Sequence, residues 1–139
     1  MEPLYSRHFT LEEAAGLIPE MRRLFAQIQQ ELSDLREPIV LYTRMLEMNT
    51  ELDENAGLSA LLKEKWEAYQ ERLTDWLHYF EQRGILVREL ERGLIDFPYL
   101  SKTGEEFLLC WLFDEEALFY FHDPVEGFQG RQPITLLPD

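Results

Sequence analysis

The apolar residues of this chain change their spacing at Gly84, and that change constrains the fold more than any other feature of the sequence. Before Gly84 they recur every three or four residues, which is typical of helices with one buried face. After it they form short runs separated by polar turns, which is typical of antiparallel strands. The sequence therefore predicts an α+β fold, with antiparallel helices packed on a small C-terminal β-meander. A chain of 139 residues fits one domain; its helical part covers about residues 8–83 and the meander with a C-terminal loop about 85–139.

Two prolines divide the helical part. The first predicted helix follows a capping box of Thr10 and Glu13 and carries an apolar stripe as far as Leu35. Pro19 lies inside this stripe and predicts a kink, or a short helix followed by a longer one, because its ring blocks one backbone hydrogen bond. Pro38 suits the first turn of a second helix.

The second helix is expected to end in a turn over residues 53–57, where polar residues precede a glycine. A third helix then runs from about Leu58 to Gln82, with aromatic and aliphatic side chains on one side and Gly84 as its terminator. The helical layer is therefore predicted to contain three helices, the first of them kinked.

Four strands are predicted after Gly84, and the third is apolar on both of its alternating faces. We therefore expect that strand to be covered on two sides. The helices provide one cover, and either the C-terminal segment or a second copy of the protein provides the other; the short tail favours a homodimer. The four predicted strands are Ile85–Leu90, Leu94–Phe97, Phe107–Phe113 and Ala117–His122.

Charge and composition exclude several classes of partner. The chain has 13 Lys and Arg residues and 27 Asp and Glu residues, so its net charge is −14. Such a chain repels phosphate backbones and anionic lipids, and we expect neither nucleic acid nor membrane as a partner. No apolar run approaches the length of a membrane-spanning helix. The single cysteine, Cys110, and a start without a signal-peptide pattern predict a cytoplasmic location.

The segment from His122 to Pro133 combines an imidazole, a carboxylate, a guanidinium and two glycines directly after a predicted strand. With Asp96 from an earlier strand, His122 and Asp123 have the ligand types of a divalent-metal site, which Glu126 or Glu105 would complete. This spacing fits no established metal motif. The alternative is structural: His122 ends the strand, and the Asp123 carboxylate bonds to its own turn.

Arg131 is the fourth candidate for ligand binding, beside Asp96, His122 and Asp123. Its guanidinium, in a loop opened by Gly127 and Gly130, has the geometry to hold a carboxylate or phosphate. In so acidic a chain, an internal ion pair with Asp96 or Asp123 is the competing interpretation.

Cys110 is not predicted to act with His122. A tight turn over residues 114–116 would pair His122 near residues 105–107, away from Cys110. We therefore expect an inert thiol, because apolar burial disfavours the thiolate.

Five segments of the chain, residues 7–14, 92–98, 109–111, 121–123 and 127–133, carry a resemblance to a known family. In their order along the chain they resemble the uncharacterised bacterial DUF2203 family over nearly the whole length. Tyr99 and Leu100 stand where that family has smaller residues, and Phe121 stands where a tryptophan is common. The resemblance implies a helical first half and a small sheet, but no established activity and no catalytic residues.

Two functions remain open at this point. The first is a non-enzymatic homodimeric module for structure or interaction, in which the loop from His122 to Arg131 is a structural clasp. The alternative is a small-molecule or divalent-metal-binding protein, with enzymatic activity as one option, whose site is that loop. There His122 serves as base or ligand, Asp96 or Asp123 orients it, and Arg131 receives an anion. The sequence names neither substrate nor metal.

Overall fold

A computed structural model describes residues 2–48 and 52–139, without the side chains of residues 52–54. Two long helices precede one antiparallel sheet whose five strands lie in chain order. The predicted α+β class is confirmed. The elements are helices α1 (Leu11–Met48) and α2 (Leu52–Gln82), strands β1 (Leu86–Glu89), β2 (Leu94–Leu100), β3 (Glu106–Leu112), β4 (Tyr120–His122) and β5 (Gln132–Pro133), and short 3-10 helices at Gly127–Gly130 and Ile134–Leu136.

Helix α1 begins and helix α2 ends where the sequence predicts. The Thr10 amide donates to Glu13 Oε1 at 3.0 Å and the Glu13 amide donates to Thr10 Oγ1 at 3.0 Å, which is the predicted capping box. At the other end Gly84 has φ +74°, and the Ile85 amide donates to the Phe80 carbonyl at 3.1 Å. This glycine closure turns the chain from α2 directly into β1.

The prediction of three helices is wrong, because the described part of the chain has two. Helix α1 continues through both Pro19 and Pro38, and residues 53–57 are helical instead of forming a turn. Each proline removes one hydrogen bond, but buried residues of the same stripe, such as Ile18 and Ile39, lie beside them. Burial of the stripe outweighs the local preference. The kink at Pro19 stays a prediction.

The core lies between the helices and one face of the sheet. Phe25 of α1 stacks on Phe80 of α2, with ring centroids 5.2 Å apart, and lies 5.9 Å from the indole of Trp111 in β3. The Phe25 ring therefore joins both helices to the sheet through two aromatic contacts. The sheet residues that face the helices are Ile95, Phe97, Leu109, Trp111 and Phe121.

The strands differ from the prediction in their bounds and in their number. Strands β1, β3 and β4 cover Leu86–Glu89, Glu106–Leu112 and Tyr120–His122 instead of Ile85–Leu90, Phe107–Phe113 and Ala117–His122. Strand β2 extends beyond Phe97 to Leu100, through Pro98. The proline is tolerated because β1 pairs with β2 only as far as Asp96, and the Pro98 carbonyl accepts instead from the Phe9 amide at 2.7 Å. Strand β5 was not predicted, since its two residues carry no apolar alternation.

The predicted register of His122 is also wrong. Tyr120 pairs with Cys110 and His122 pairs with Leu108, so His122 lies two residue pairs away from Cys110, on the same face of the sheet. The turn closes at Glu115, whose amide donates to the Leu112 carbonyl at 2.8 Å. The Glu115 side chain in turn accepts from the Leu112 amide at 2.8 Å.

The second face of β3 is covered, as predicted, but by this chain itself. Tyr5 from the N-terminal segment and Pro124 and Phe128 from the loop after β4 line a cavity over Cys110 and His122. A second copy is not needed for this cover, and the homodimer stays a prediction. No helix of the described residues has the length and hydropathy to cross a membrane.

Candidate functional site

Three neighbouring strands bring Asp96, Cys110 and His122 together on the sheet face that points away from the helices. Asp96 in β2 pairs directly with Cys110 in β3, and His122 in β4 lies two residue pairs further along the strands, on the same face. The three residues are 1, 1 and 2% exposed. One potential ligand atom from each lies within 4.8 Å of the other two. The sheet therefore assembles a buried cluster of nitrogen, oxygen and sulfur donors.

The His122 ring is oriented by two acceptors. Its Nδ1 lies 2.7 Å from the Asp123 backbone carbonyl oxygen, and its Nε2 lies 3.2 Å from Asp96 Oδ1. A carbonyl oxygen only accepts, so Nδ1 carries a proton. Nε2 then contacts the carboxylate either as a second N–H donor or through a cation that both atoms bind.

The charges of the cluster are coupled. Burial raises the pKa of Asp96, but hydrogen bonds from His122 and Arg88 outweigh it and hold the pKa below its usual value. Burial lowers the pKa of His122, while its bonds to Asp96 and to the Asp123 carbonyl bring it above the usual value. Without a metal, the site therefore favours an imidazolium paired with a carboxylate.

Arg88 of β1 completes the cluster, and its Nε donates to Asp96 Oδ2 at 2.8 Å. The two carboxylate oxygens of Asp96 thus have separate partners: Oδ2 faces the guanidinium and Oδ1 faces the imidazole. Arg88 also reaches the Tyr5 hydroxyl at 3.4 Å. Sequence reasoning missed Arg88; the signal was Asp96 itself, because a carboxylate inside an apolar strand needs a buried cationic or hydrogen-bonding partner.

Cys110 is buried, as predicted. Burial, and then the neighbouring charge of Asp96, raise the pKa of its thiol above the usual value. The free thiol is therefore a poor nucleophile. Its position beside Asp96 and His122 was missed, because the predicted register placed His122 elsewhere.

A cavity of about 360 Å³ opens onto this cluster. Asp96, Cys110 and His122 line it together with Arg88, while Phe128 and other apolar residues form further walls. The volume falls in the range of small-molecule sites, about 300–1,000 Å³.

A carboxylate clasp fixes the N-terminal segment beside this cavity. Glu106 of β3 accepts from the backbone amides of Leu4 and Tyr5 at 2.8 and 3.2 Å. Its Oε2 also lies 2.6 Å from His8 Nε2. The clasp holds the Tyr5 ring against the site.

The other two predicted site residues lie outside the cluster of side chains. Asp123 Oδ1 accepts from the amides of Val125 and Glu126 at 2.8 and 2.7 Å, so its carboxylate bonds to its own turn, as the structural alternative predicts. Asp123 contributes only its backbone carbonyl to the site. Neither Glu126 nor Glu105 belongs to the ligand cluster of the described residues.

Arg131 forms an internal ion pair, but not with the predicted partners. Its guanidinium donates to both carboxylate oxygens of Glu115, at 2.6 and 2.8 Å, instead of to Asp96 or Asp123. It lies 4.1 Å from the Tyr120 ring centroid and 4.7 Å from that of Phe128. Arg131 therefore braces the loop that covers the cluster.

The family model DUF2203, described as "Uncharacterized conserved protein", matches residues 7–134. The chain belongs to the DUF2203 family. Comparison with curated proteins found no match, and comparison with solved structures found none either. For this DUF2203 protein, the geometry of Asp96, Cys110 and His122 is therefore the guide to function.

Proposed function

We propose that this DUF2203 protein binds a divalent transition metal, best matched by zinc, through Asp96 Oδ1, Cys110 Sγ and His122 Nε2. The observation that carries the proposal is the orientation of His122. Because Nδ1 is held by a carbonyl oxygen, Nε2 faces the carboxylate and lies beside the thiol. Zinc accepts all three of these ligand types.

The spacing of the donors agrees with a tetrahedral ion. Zinc bonds of the usual length place neighbouring ligand atoms about 3.3–3.6 Å apart. The Nε2 and Oδ1 atoms are 3.2 Å apart, and one potential ligand atom from each of the three residues lies within 4.8 Å of the other two. Small side-chain movements would close the site. Three protein ligands leave the fourth position open toward the cavity, as in catalytic rather than structural zinc sites.

The groups around the ligands have the roles that metal sites require of their surroundings. The Asp123 carbonyl fixes the tautomer of His122, and Arg88 holds the second oxygen of Asp96. Metal-binding histidines and carboxylates are commonly oriented by such outer bonds.

Charge balance also favours binding. In the metal-free site His122 Nε2 and Cys110 Sγ each hold a proton, and a metal ligand must release it. Exchanging these two protons for one divalent cation leaves the net charge of the buried site unchanged. The site can therefore accept the ion without an added buried charge. A reducing cytoplasm would keep Cys110 available for this role.

Cobalt(II) titration, followed by absorption, tests the proposal. We expect one ion per chain, with a tetrahedral visible spectrum and a near-ultraviolet thiolate charge-transfer band. Cys110→Ser should lose that band, and His122→Gln should bind at least about a hundredfold more weakly. The matched control is His78→Gln, because His78 is exposed on α2.

Circular dichroism establishes that the variants are folded. The metal proposal fails if the wild-type protein gives no such spectrum. It also fails if folded His122→Gln binds cobalt as tightly as His78→Gln.

A homodimeric module is a second candidate function, favoured by the helical hairpin. Its outer part exposes Val40, Leu41 and Trp66, which are 50, 54 and 47% exposed. Residues 36–47 of α1 contain two arginines, Arg36 and Arg44, and two glutamates, so this part of the surface lacks the acidic excess that would oppose self-association.

Native mass spectrometry of the untagged protein is expected to show a dimer, and the Trp66→Glu variant is expected to be a monomer. A wild-type monomer at micromolar concentration would exclude this candidate.

A further inference from the structure

The cavity above the metal site has a second recognition group, the guanidinium of Arg88. Resting on the proposed function, we infer that the site takes a small carboxylate whose anionic group bridges Arg88 and the open position of the metal. The inference names a ligand class for the site and depends on groups other than the three metal ligands.

The guanidinium of Arg88 has hydrogen-bond donors that the described residues do not use. Its Nε is used by Asp96, and one terminal nitrogen makes a long contact of 3.4 Å with the Tyr5 hydroxyl. Among the atoms that the structure describes, the other terminal nitrogen has no hydrogen-bond partner. The side chain is 42% exposed and lines the cavity. A guanidinium in this situation presents a planar pair of donors that matches the two oxygens of a carboxylate.

The charge of the loaded site favours one negative charge on the ligand. The divalent ion and Arg88 together exceed the thiolate of Cys110 and the carboxylate of Asp96 by one positive charge. A monoanion would neutralise that excess in a place where buried charge is costly. The surrounding chain is strongly acidic, with a net charge of −14, so this positive spot is local. A monocarboxylate fits this balance better than a phosphate dianion.

The walls of the cavity limit the rest of the ligand. Leu94, Pro124 and Phe128 line it together with the charged groups. Its volume of about 360 Å³ lies at the small end of ligand pockets. The ligand class is therefore a small carboxylate with an apolar body, such as a short aliphatic or a benzoate-like acid.

The test uses full-length protein loaded with saturating cobalt(II). Butyrate, benzoate, benzamide and inorganic phosphate are titrated while the visible spectrum of the ion is followed. We expect the two carboxylates to change the spectrum and the neutral amide to have no effect. With each variant loaded to saturation, Arg88→Gln should weaken benzoate binding about tenfold or more, because a charge-assisted bond is lost. Arg88→Lys keeps the positive charge but lacks the planar pair of donors, so its affinity for benzoate should lie between those of the wild-type protein and Arg88→Gln.

Arg23→Gln is the matched control, since Arg23 is exposed on α1 and its loss removes the same charge. The inference is overturned if the wild-type cobalt spectrum forms but does not respond to carboxylates. It is also overturned if phosphate binds in preference, or if Arg88→Gln and Arg23→Gln bind benzoate equally. Absence of the cobalt spectrum itself would overturn the proposed metal site, and the carboxylate bridge with it, before any anion is added.

Discussion

At the scale of single residues, Asp96 is a buried charge that needs partners inside the protein. It is a carboxylate with 1% exposure, and it holds His122 and Arg88 through different oxygens. In the apolar strand β2 its role is electrostatic, because two cationic partners depend on it.

Asp96→Ala is expected to lower the free energy of unfolding of the metal-free protein by about 3 kcal/mol or more, since it leaves the buried imidazolium of His122 and the partly exposed guanidinium of Arg88 without their partner. Asp75→Ala, which removes one exposed partner of Arg72, should change it by less than about 0.5 kcal/mol. Urea denaturation of both variants measures the difference. If both variants lowered the free energy of unfolding by the same amount, Asp96 could not be the stabilising partner of His122 and Arg88.

Gly93, in the turn between β1 and β2, has a backbone that other residues rarely adopt. Its φ is +69°, and an added Cβ would lie 2.6 Å from the Phe113 Cβ. Gly93→Ala should therefore destabilise the fold by about 1–2 kcal/mol or more. Gly16→Ala, in an open position on α1, should instead stabilise it by about 0.5–1 kcal/mol. Thermal melts of the two variants should shift in opposite directions; a shift of the same sign would refute the argument.

At the scale of elements, the clasp formed by Glu106 joins the N-terminal segment to β3. Burial raises the pKa of Glu106, but hydrogen bonds from His8 and from the amides of Leu4 and Tyr5 bring it below its ordinary value of 4.5. A carboxylate with a depressed folded pKa stabilises the protein fully above the unfolded value. That contribution is lost as the pH falls through the folded value.

We therefore expect wild-type protein to be more stable than Glu106→Gln at about pH 6, with the difference shrinking as the pH falls from about 4.5 to 3. Urea denaturation across this range measures it. Glu105→Gln is the control, because Glu105 is exposed and neighbours the clasp in sequence. A difference that grows on acidification would reverse the assigned direction of the pKa shift.

At the scale of the whole molecule, the core argues for one cooperative unit. Phe25 contacts both Phe80 and Trp111, so helices and sheet share buried rings. The single domain over residues 1–139 remains a prediction, and coincident unfolding is its test. In a variant with Trp66 and Trp76 replaced by Phe, Trp111 fluorescence and far-ultraviolet circular dichroism should give the same urea midpoint. Separate midpoints would divide the chain into two folding units.

The sequence predicts the class of fold better than its connections. Periodicity is set by which face is buried, so the change from helices to strands is visible at Gly84. The number of helices is not visible in the same way, because burial of apolar residues on both sides of Pro38 overrides the tendency of proline to end a helix. Asp96 and His122 were found as polar residues in apolar strands. Cys110 and Arg88 were missed as their partners, because strand register depends on turn closure that composition does not fix.

The direct pairing of Asp96 with Cys110 has a consequence for how the sheet folds. Sliding β2 by one residue along β3 would turn Asp96 toward the aromatic core and would place Ile95 or Phe97 on the outer face. A carboxylate facing Trp111 would have neither Arg88 nor His122 within reach and would be heavily penalised. The polar cluster thus discriminates against misaligned sheets during folding, and its removal should broaden the ensemble of strand alignments even before it alters any binding.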